Sequence, residues 1–282
     1  MIPSVLIYAN CQGEELQKTA QFMRCMTGRL DFKWIPYHLV TDRDWSRQYG
    51  SEFMADVVTV WEQVETGGMS ANRAELHRRI PKNIPIVMFP PFSASCLWPF
   101  AGNDPRIAAD PDRYPWPDSI AAALAGTDMP DAELFAKYMQ VTTERMPDLD
   151  RRLRLDTARW KASDAIADVR LAEWVEATFR SVNLFYTSGH ITAPAVRYLI
   201  NQLLSRTGIL PPALTRAAID EVDELLRQHT GQDFESVPIH PLVAERLKLS
   251  FYDPNATYRW HAHEWTFEQY ILHYIRWADY LR

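Results

Sequence analysis

The first ninety residues alternate between short apolar runs and segments whose apolar residues recur at helical spacing. The apolar run at 5–9 predicts a buried strand, and residues 13–26 predict a helix that stops at Gly28. Further strands are predicted over 32–39, 55–61 and 84–89, with a helix over 72–80. Strands that alternate with helices form parallel sheets through right-handed crossovers, so the pattern predicts a three-layer α/β fold.

From about residue 99 the sequence changes character. Residues 104–117 are rich in proline and aspartate and predict a long irregular connection. Helices are predicted over 156–179, 194–205, 214–228 and 265–281, and one more strand over 182–186. The chain of 282 residues is expected to be a single domain, with an α/β subdomain at 1–105. The mostly helical remainder, 106–282, is expected to return to the sheet near 182–190 and to form a cradle or lid.

Charge and composition argue against several classes of protein. The net charge of −6 disfavours a nucleic-acid partner, which needs clustered Lys and Arg, although a local cluster can still hold one phosphate-bearing ligand. No apolar run approaches the ~20 residues of a membrane span, and the N-terminus lacks the basic segment of a signal peptide. We therefore expect a cytoplasmic protein without an integral membrane segment. The three cysteines include no Cys-x-x-Cys pair, which disfavours a disulfide framework and a structural zinc site.

The leading candidate site is the turn Asn10-Cys11-Gln12, between the first predicted strand and the first helix. Parallel α/β sheets bind ligands beyond the carboxyl ends of their strands. The backbone N–H groups and the positive dipole end of a helix favour a thiolate at Cys11 and can hold an oxyanion or a phosphate. Asn10 and Gln12 add amide donors. The plain alternatives are a helix cap for Asn10 and a small buried apolar role for Cys11.

Two later loops carry further candidates. Ser93 and Ser95 follow the fourth predicted strand and should emerge at the same edge of the sheet, although proline-rich loops also serve simply as turns. His190 lies between the predicted strand at 182–186 and a helix, where it can act as a general base. His240, which precedes Pro241, is the alternative for that role.

The densest basic stretch of the chain is a candidate for holding cofactor phosphates. It contains Arg152 and Arg154, and the aspartates interspersed with them make a solvated helix start the plain alternative. His261 and His263 resemble a pair of metal ligands. No third ligand stands at an informative spacing, so no metal site is predicted.

Three short islands resemble the WcbI-type capsular polysaccharide biosynthesis proteins: Tyr8-Ala9-Asn10-Cys11-Gln12, Phe89-Pro90-Pro91 and Ser188-Gly189-His190. The resemblance implies an acetyltransferase that binds coenzyme A or acetyl-CoA. It also implies an N-terminal SGNH/flavodoxin-like subdomain inside a cradle of helices. In that family the histidine is commonly followed by proline, whereas here Ile191 follows His190 and the His-Pro pair is His240-Pro241. Both histidines therefore stay open as the catalytic base.

The leading hypothesis is a coenzyme A-dependent O-acyltransferase that acts on a sugar or polysaccharide precursor. The amides of Asn10 and Gln12 stabilise the oxyanion, Cys11 carries or contacts the acyl group, and a histidine removes the acceptor proton, His190 by preference. The candidate cofactor-binding residues are Gln12, Ser93, Ser95, Arg152 and Arg154. Two alternatives stay open: an SGNH-like esterase or hydrolase on the same scaffold, and a non-catalytic glycan- or nucleotide-binding module.

Overall fold

The computed structural model describes residues 2–65, 70–228 and 234–279. The strands are β1 (Ser4–Ala9), β2 (Asp31–Pro36), β3 (Val57–Gln63), β4 (Ile86–Phe89), β5 (Tyr258–Trp260) and β6 (His263–Trp265). The helices are α1 (Cys11–Gln21), α2 (Asp42–Arg47), α3 (Ser51–Met54), α4 (Ala71–Arg79), α5 (Pro105–Ala109), α6 (Ser119–Ala123), α7 (Asp131–Arg145), α8 (Leu149–Asp164), α9 (Ala172–Thr178), α10 (Ala193–Thr207), α11 (Pro212–Gln228), α12 (Pro241–Leu247) and α13 (Phe267–Arg276). None of the helices in these ranges is long and apolar enough to cross a membrane.

The main sheet is parallel throughout, with the strand order β2-β1-β3-β4. β1 lies inside the sheet and is buried along its whole length, as expected for an unbroken apolar run between two layers of helices. The chain leaves β1 toward β2 on one side and later adds β3 on the other side. The order of the strands therefore reverses between β1 and β3, which is where α/β sheets bind ligands. The predicted parallel α/β fold is confirmed.

Helices cover both faces of this sheet. On one face, Leu6, Tyr8 and Val60 pack in an apolar cluster with side chains from α2, α3 and α4. On the other face, α1 packs on β1 and β2, and α10 packs on β4 and on α1. Trp61 follows Val60 in β3 and so points to this second face, where its indole N–H donates to Thr207 Oγ1 of α10 at 2.7 Å. The three expected layers are present.

The first turn of α1 lies very close to β2. A Cβ atom on Gly13 would come within 2.6 Å of Trp34 Nε1 and 2.8 Å of the Ala9 Cβ, so only glycine fits without displacement. The Trp34 indole N–H also donates to the Ala9 carbonyl at 3.2 Å. This close approach fixes the start of α1 against the ends of β1 and β2.

The single long helix predicted over 156–179 is wrong, because the chain divides into α8 and α9. The Asp164 carboxylate accepts from two backbone N–H groups at the start of α9, both at 2.9 Å, and so begins a new helix. Between the helices, the Asp168 N–H donates to the Met88 carbonyl at 2.9 Å, and its carboxylate accepts from the Met88 N–H at 2.7 Å. This segment covers the edge of β4, which would otherwise present unpaired backbone groups.

The strand predicted over 182–186 is also wrong. These residues form a loop, and the four-stranded sheet contains no strand from 182–190. The chain instead returns to the sheet at Asp168, through the hydrogen bonds to Met88, and again through α10. The apolar run was misleading because buried loop residues carry the same composition as a short buried strand.

Most other predicted elements are present with shifted ends. α1 begins two residues earlier than predicted, β3 extends two residues further, and α5 interrupts the connection predicted to be irregular over 104–117. The last predicted helix begins and ends inside its predicted range, whose final two residues lie outside the described residues. Neither α7 nor the antiparallel hairpin of β5 and β6 was predicted.

The chain divides into two compact units whose segments interleave along the sequence. The first unit comprises Met1–Phe92, Ala158–Glu176 and His190–Gly231 and contains the parallel sheet. The second comprises Ser93–Thr157, Ala177–Gly189 and Gln232–Arg282 and has a core rich in aromatic side chains. This division differs from the boundary expected at residue 105, because two later segments pack with the sheet. The single-domain organisation stays a prediction.

Candidate functional site

The turn between β1 and α1 lies at the reversal of strand order. Asn10 is the N-cap of α1: its Oδ1 atom accepts from the Gln12 N–H at 3.0 Å, and its carbonyl accepts from the Gly13 N–H at 2.9 Å. Cys11 is the first residue of α1 and is half-buried. Its thiol therefore belongs to the positive end of the helix dipole, at the carboxyl edge of the sheet. The predicted position of Cys11 is confirmed, and its catalytic role stays a prediction.

The helix cap determines how the Asn10 amide is oriented. Because Oδ1 accepts from the backbone of α1, Nδ2 is left as a donor on the other side of the amide group. The Asn10 backbone N–H donates to Gln63 Oε1 at 3.1 Å, which holds the turn from the β3 side. Within the described ranges, no protein group accepts a hydrogen bond from Nδ2. The Asn10 side chain therefore has one atom, Oδ1, that stabilises α1 and another, Nδ2, that is a donor with a fixed direction.

Gln12 is completely buried and joins the ends of three strands. Its Oε1 accepts from the Phe92 N–H at 3.1 Å, and its Nε2 donates to the Phe92 carbonyl. Gln63, the last residue of β3, donates from its Nε2 to Gln12 Oε1 at 2.9 Å. The side chain of Gln12 thus pairs with the backbone after β4 much as a neighbouring strand would. These bonds hold the turn in place, and the catalytic and cofactor-binding roles of Gln12 stay predictions.

Two residues of this network, Tyr37 and Gln63, were missed by the sequence analysis. The Tyr37 hydroxyl donates to Gln63 Oε1 at 3.2 Å. Burial raises the pKa of Tyr37 to about 12, and the nearby Glu65 and Cys11 add to the rise. Tyr37 is therefore a neutral donor at pH 7. Both residues stand at the carboxyl ends of strands, and that position was the available signal.

His190 belongs to the same unit as Cys11 and is almost fully buried. Burial lowers the pKa of His190 to about 4, while the Glu14 carboxylate acts in the opposite direction. Glu14 lies in the first turn of α1. At pH 7 the imidazole is neutral, which is the form that accepts a proton.

His240 has a structural role in the second unit. Its Nδ1 accepts from the Leu242 N–H at 3.2 Å and caps α12, and its Nε2 lies 3.0 Å from Thr142 Oγ1. Since Nδ1 accepts, Nε2 carries the proton and donates to the threonine. Burial lowers the pKa of His240 to about 4. Both ring nitrogens of His240 are engaged, and which of the two histidines acts as the base stays a prediction.

The other predicted cofactor-binding residues, Ser93, Ser95, Arg152 and Arg154, lie in the second unit. The buried Asp156 of α8 accepts from Ser95 Oγ at 2.8 Å and from the Ser95 N–H at 2.9 Å. Arg152 precedes Asp156 by about one helical turn and lies on the same side of α8. Arg154 is two residues away from both and therefore lies on the opposite side. The geometry places Arg152, and not Arg154, on the side of α8 that holds the serine loop.

Cys25 differs from Cys11 in its electrostatic surroundings. It lies in the short 3₁₀ turn Arg24–Met26, and its backbone N–H donates to the Glu221 carboxylate at 3.0 Å. Burial and Glu221 raise the pKa of the Cys25 thiol to about 11. Cys96 is fully buried. Across the described segments, no three His, Cys, Asp or Glu side chains are grouped so that they could hold a metal ion.

Comparison with known proteins agrees with this architecture. Residues 4–212 match the family described as polysaccharide biosynthesis enzyme WcbI. The chain belongs to the WcbI family. It is similar to a solved structure of WcbI, described as a novel polysaccharide biosynthesis enzyme, with a TM-score of 0.71 and 16% identity over 98% of this chain and 90% of that one. The WcbI structure is described as the native protein without a disulfide bond between coenzyme A and one of its cysteines. No curated protein matches the chain.

In this WcbI-family protein, Cys11 should react with iodoacetamide at pH 7 at least about tenfold faster than Cys25. Cys11 stands at a helix N-terminus, which favours the thiolate, whereas the pKa of Cys25 is raised to about 11. Timed labelling followed by peptide mass spectrometry measures both rates. Cys11→Ser should remove the fast phase and Cys25→Ser should leave it intact. Equal rates would show that the thiol of Cys11 is not activated.

Proposed function

We propose that this protein is a coenzyme A-dependent O-acyltransferase, and specifically an acetyltransferase, whose acceptor is a hydroxyl group of a sugar or polysaccharide precursor. The observation that carries the proposal is the half-buried Cys11 thiol at the start of α1, where the strand order reverses. Membership of the WcbI family supports a sugar acceptor. The description of the WcbI structure, which names coenzyme A together with a cysteine, supports the choice of cofactor.

The reaction makes three demands on the protein. A bond forms between the acceptor oxygen and the acyl carbon, and the bond from that carbon to the coenzyme A sulfur breaks. The hydroxyl proton passes to a base and then to the departing sulfur, so coenzyme A leaves as a thiol. The protein must therefore hold the thioester, stabilise negative charge on the acyl oxygen, and accept the proton.

Asn10 is suited to the second demand. Its Nδ2 donor is oriented before any ligand arrives, because Oδ1 is held by the Gln12 N–H and the backbone N–H by Gln63. An oriented donor stabilises developing charge without the cost of reorganisation. Gln12 and Gln63 act as positioning residues, since they keep this amide in place without facing a ligand themselves.

Cys11 is suited to holding the acyl group, and His190 is suited to accepting the proton. The Cys11 thiol either accepts the acyl group transiently or contacts it, and the start of α1 favours negative charge on the sulfur. His190 is neutral at pH 7 because burial lowers its pKa to about 4. Its ring therefore has an unprotonated nitrogen throughout the neutral pH range, and the same lowered pKa makes it a weaker base than an ordinary histidine. The Ser93–Ser95 loop and Arg152 are the residues proposed to hold the phosphate-bearing part of coenzyme A.

Coenzyme A should raise the melting temperature of the wild-type protein, because a ligand of the native state stabilises it. In titration calorimetry, Arg152→Gln should weaken binding by about 10- to 100-fold, since one sheltered contact to a phosphate contributes ~1.5–3 kcal/mol. Arg154→Gln, on the opposite side of α8, is the matched control and should bind nearly as well as wild type. No binding by the wild type would overturn the cofactor assignment, and equal losses in both variants would overturn the location.

Asn10→Asp should lower acetyl transfer by about 10²–10³-fold, the usual effect of losing one oxyanion donor. Asp caps helices as well as Asn, so the stability of the protein should change by less than about 0.5 kcal/mol. Release of free coenzyme A thiol from acetyl-CoA, with a methyl hexoside as acceptor, measures the rate. Asn10→Ala loses both the cap and the donor and should be less stable as well as slow. Full activity in Asn10→Asp would exclude Nδ2 from catalysis.

His190→Ala should lower the same transfer by about 10²–10⁴-fold and leave coenzyme A affinity unchanged. The active form of His190 is the neutral imidazole, so protonation of His190 should lower the rate only as pH approaches its lowered pKa of about 4. His240→Asn, which preserves a cap on α12, should retain the rate. An unchanged rate in His190→Ala would remove the general base from the mechanism. Thiol release that does not depend on a sugar acceptor would identify a hydrolase instead.

A further inference from the structure

The second unit contains an open cavity that none of the proposed catalytic or cofactor-binding residues lines. Its wall comes from the loop after α9, the segment before α12 and the loop between α12 and β5. The volume is about 210 Å³. This is many times the ~10–15 Å³ that a single water needs, so the cavity has room for a small organic ligand.

Aromatic rings form much of the wall. They are Phe185, Tyr186, Phe251, Tyr252 and Tyr258. The face of an aromatic ring carries partial negative charge and attracts weakly positive hydrogens, and a tyrosine adds a polar hydroxyl at its tip. One face of a hexose ring presents C–H groups, while its rim presents hydroxyls. The wall thus matches both kinds of surface on a sugar.

The cavity is also lined by polar side chains that can form hydrogen bonds, whereas its described lining has no cationic side chain. The polar lining residues are Asn183, Ser236, Asp253 and Thr257. Of the twelve described residues that line the cavity, none is Lys, Arg or His, and Asp253 adds a negative charge. Phosphate and carboxylate groups are recognised by Arg and Lys, so this lining disfavours an anionic ligand. It favours a neutral molecule that carries many hydroxyl groups.

Hydrogen bonds hold the loops of the cavity in place. The Val237 N–H donates to the Tyr186 carbonyl at 2.8 Å, and the Ser236 N–H donates to the Arg259 carbonyl at 2.8 Å. Asp253 Oδ1 accepts from the Asn255 N–H at 2.8 Å and closes a turn. A wall that is formed before binding loses little conformational entropy when a ligand arrives.

We infer that the cavity around Tyr252 and Asp253 binds a neutral sugar unit of a glycan. The Tyr252 ring contacts the C–H face of the sugar, and the Asp253 carboxylate accepts from its hydroxyls through the oxygen that does not close the turn. None of the residues proposed to catalyse acyl transfer is among those that line this cavity. The inference therefore does not depend on the coenzyme A chemistry being correct.

Titration calorimetry and ligand-observed NMR should detect the binding of a sugar to this cavity. The three probes are the methyl glycosides of glucose, galactose and mannose. At least one should bind the wild-type protein with a Kd of about 10 mM or lower, and glucose 1-phosphate should bind at least about tenfold more weakly. Tyr252→Ala should weaken binding about tenfold or more, equivalent to ~1.4 kcal/mol. Asp253→Asn, which keeps the oxygen that closes the turn, should also weaken it. Phe234→Ala, an exposed ring outside the cavity lining, is the matched control.

Several outcomes would overturn this inference: no binding of any of the three glycosides, tighter binding of glucose 1-phosphate, or unchanged binding in both Tyr252→Ala and Asp253→Asn. Should Tyr252→Ala fail to fold, as judged by its melting curve, Asp253→Asn decides the result alone. Coenzyme A titrations of the same variants separate the two proposals. Loss of glycoside binding with intact coenzyme A binding supports the sugar site, and absence of coenzyme A binding leaves the glycoside result unaffected.

Discussion

The hydrogen bonds of one buried side chain, Gln12, organise the carboxyl edge of the sheet. Its amide pairs with both backbone groups of Phe92 and accepts from Gln63, so it connects α1 to the ends of β3 and β4. Leaving a buried amide group unsatisfied costs ~1–3 kcal/mol, so these bonds favour one arrangement of the three chain segments. The absence of a side chain at Gly13 also lets α1 approach Trp34 closely.

The fixed edge separates the roles of three consecutive residues. Gln12 is buried and holds its neighbours in place. The Asn10 side chain caps α1 through Oδ1 and leaves Nδ2 as a donor on the other side of the same amide. Cys11 is half-buried at the start of the helix. An oriented donor stabilises charge effectively only when other groups hold it.

The histidines show that a perturbed pKa alone does not identify a catalytic group. Burial lowers the pKa of His190 and of His240 to the same value, about 4. His240 uses its ring nitrogens to cap α12 and to contact Thr142, so its burial serves stability. His190 belongs to the unit that contains Cys11, whereas His240 belongs to the other unit.

The sequence by itself determined the α/β class, the parallel strands of the first ninety residues and the position of Cys11 after β1, because these follow from local periodicity and short-range capping. It did not determine that 156–179 would break at Asp164, or that 182–186 would be a loop. The segment after the break pairs with Met88 through Asp168, a contact between residues far apart in the chain. The burial of Gln12 and the capping role of His240 likewise depend on distant partners. Side chains that look equivalent in a sequence acquire different functions only when tertiary packing decides which of their polar atoms are already satisfied.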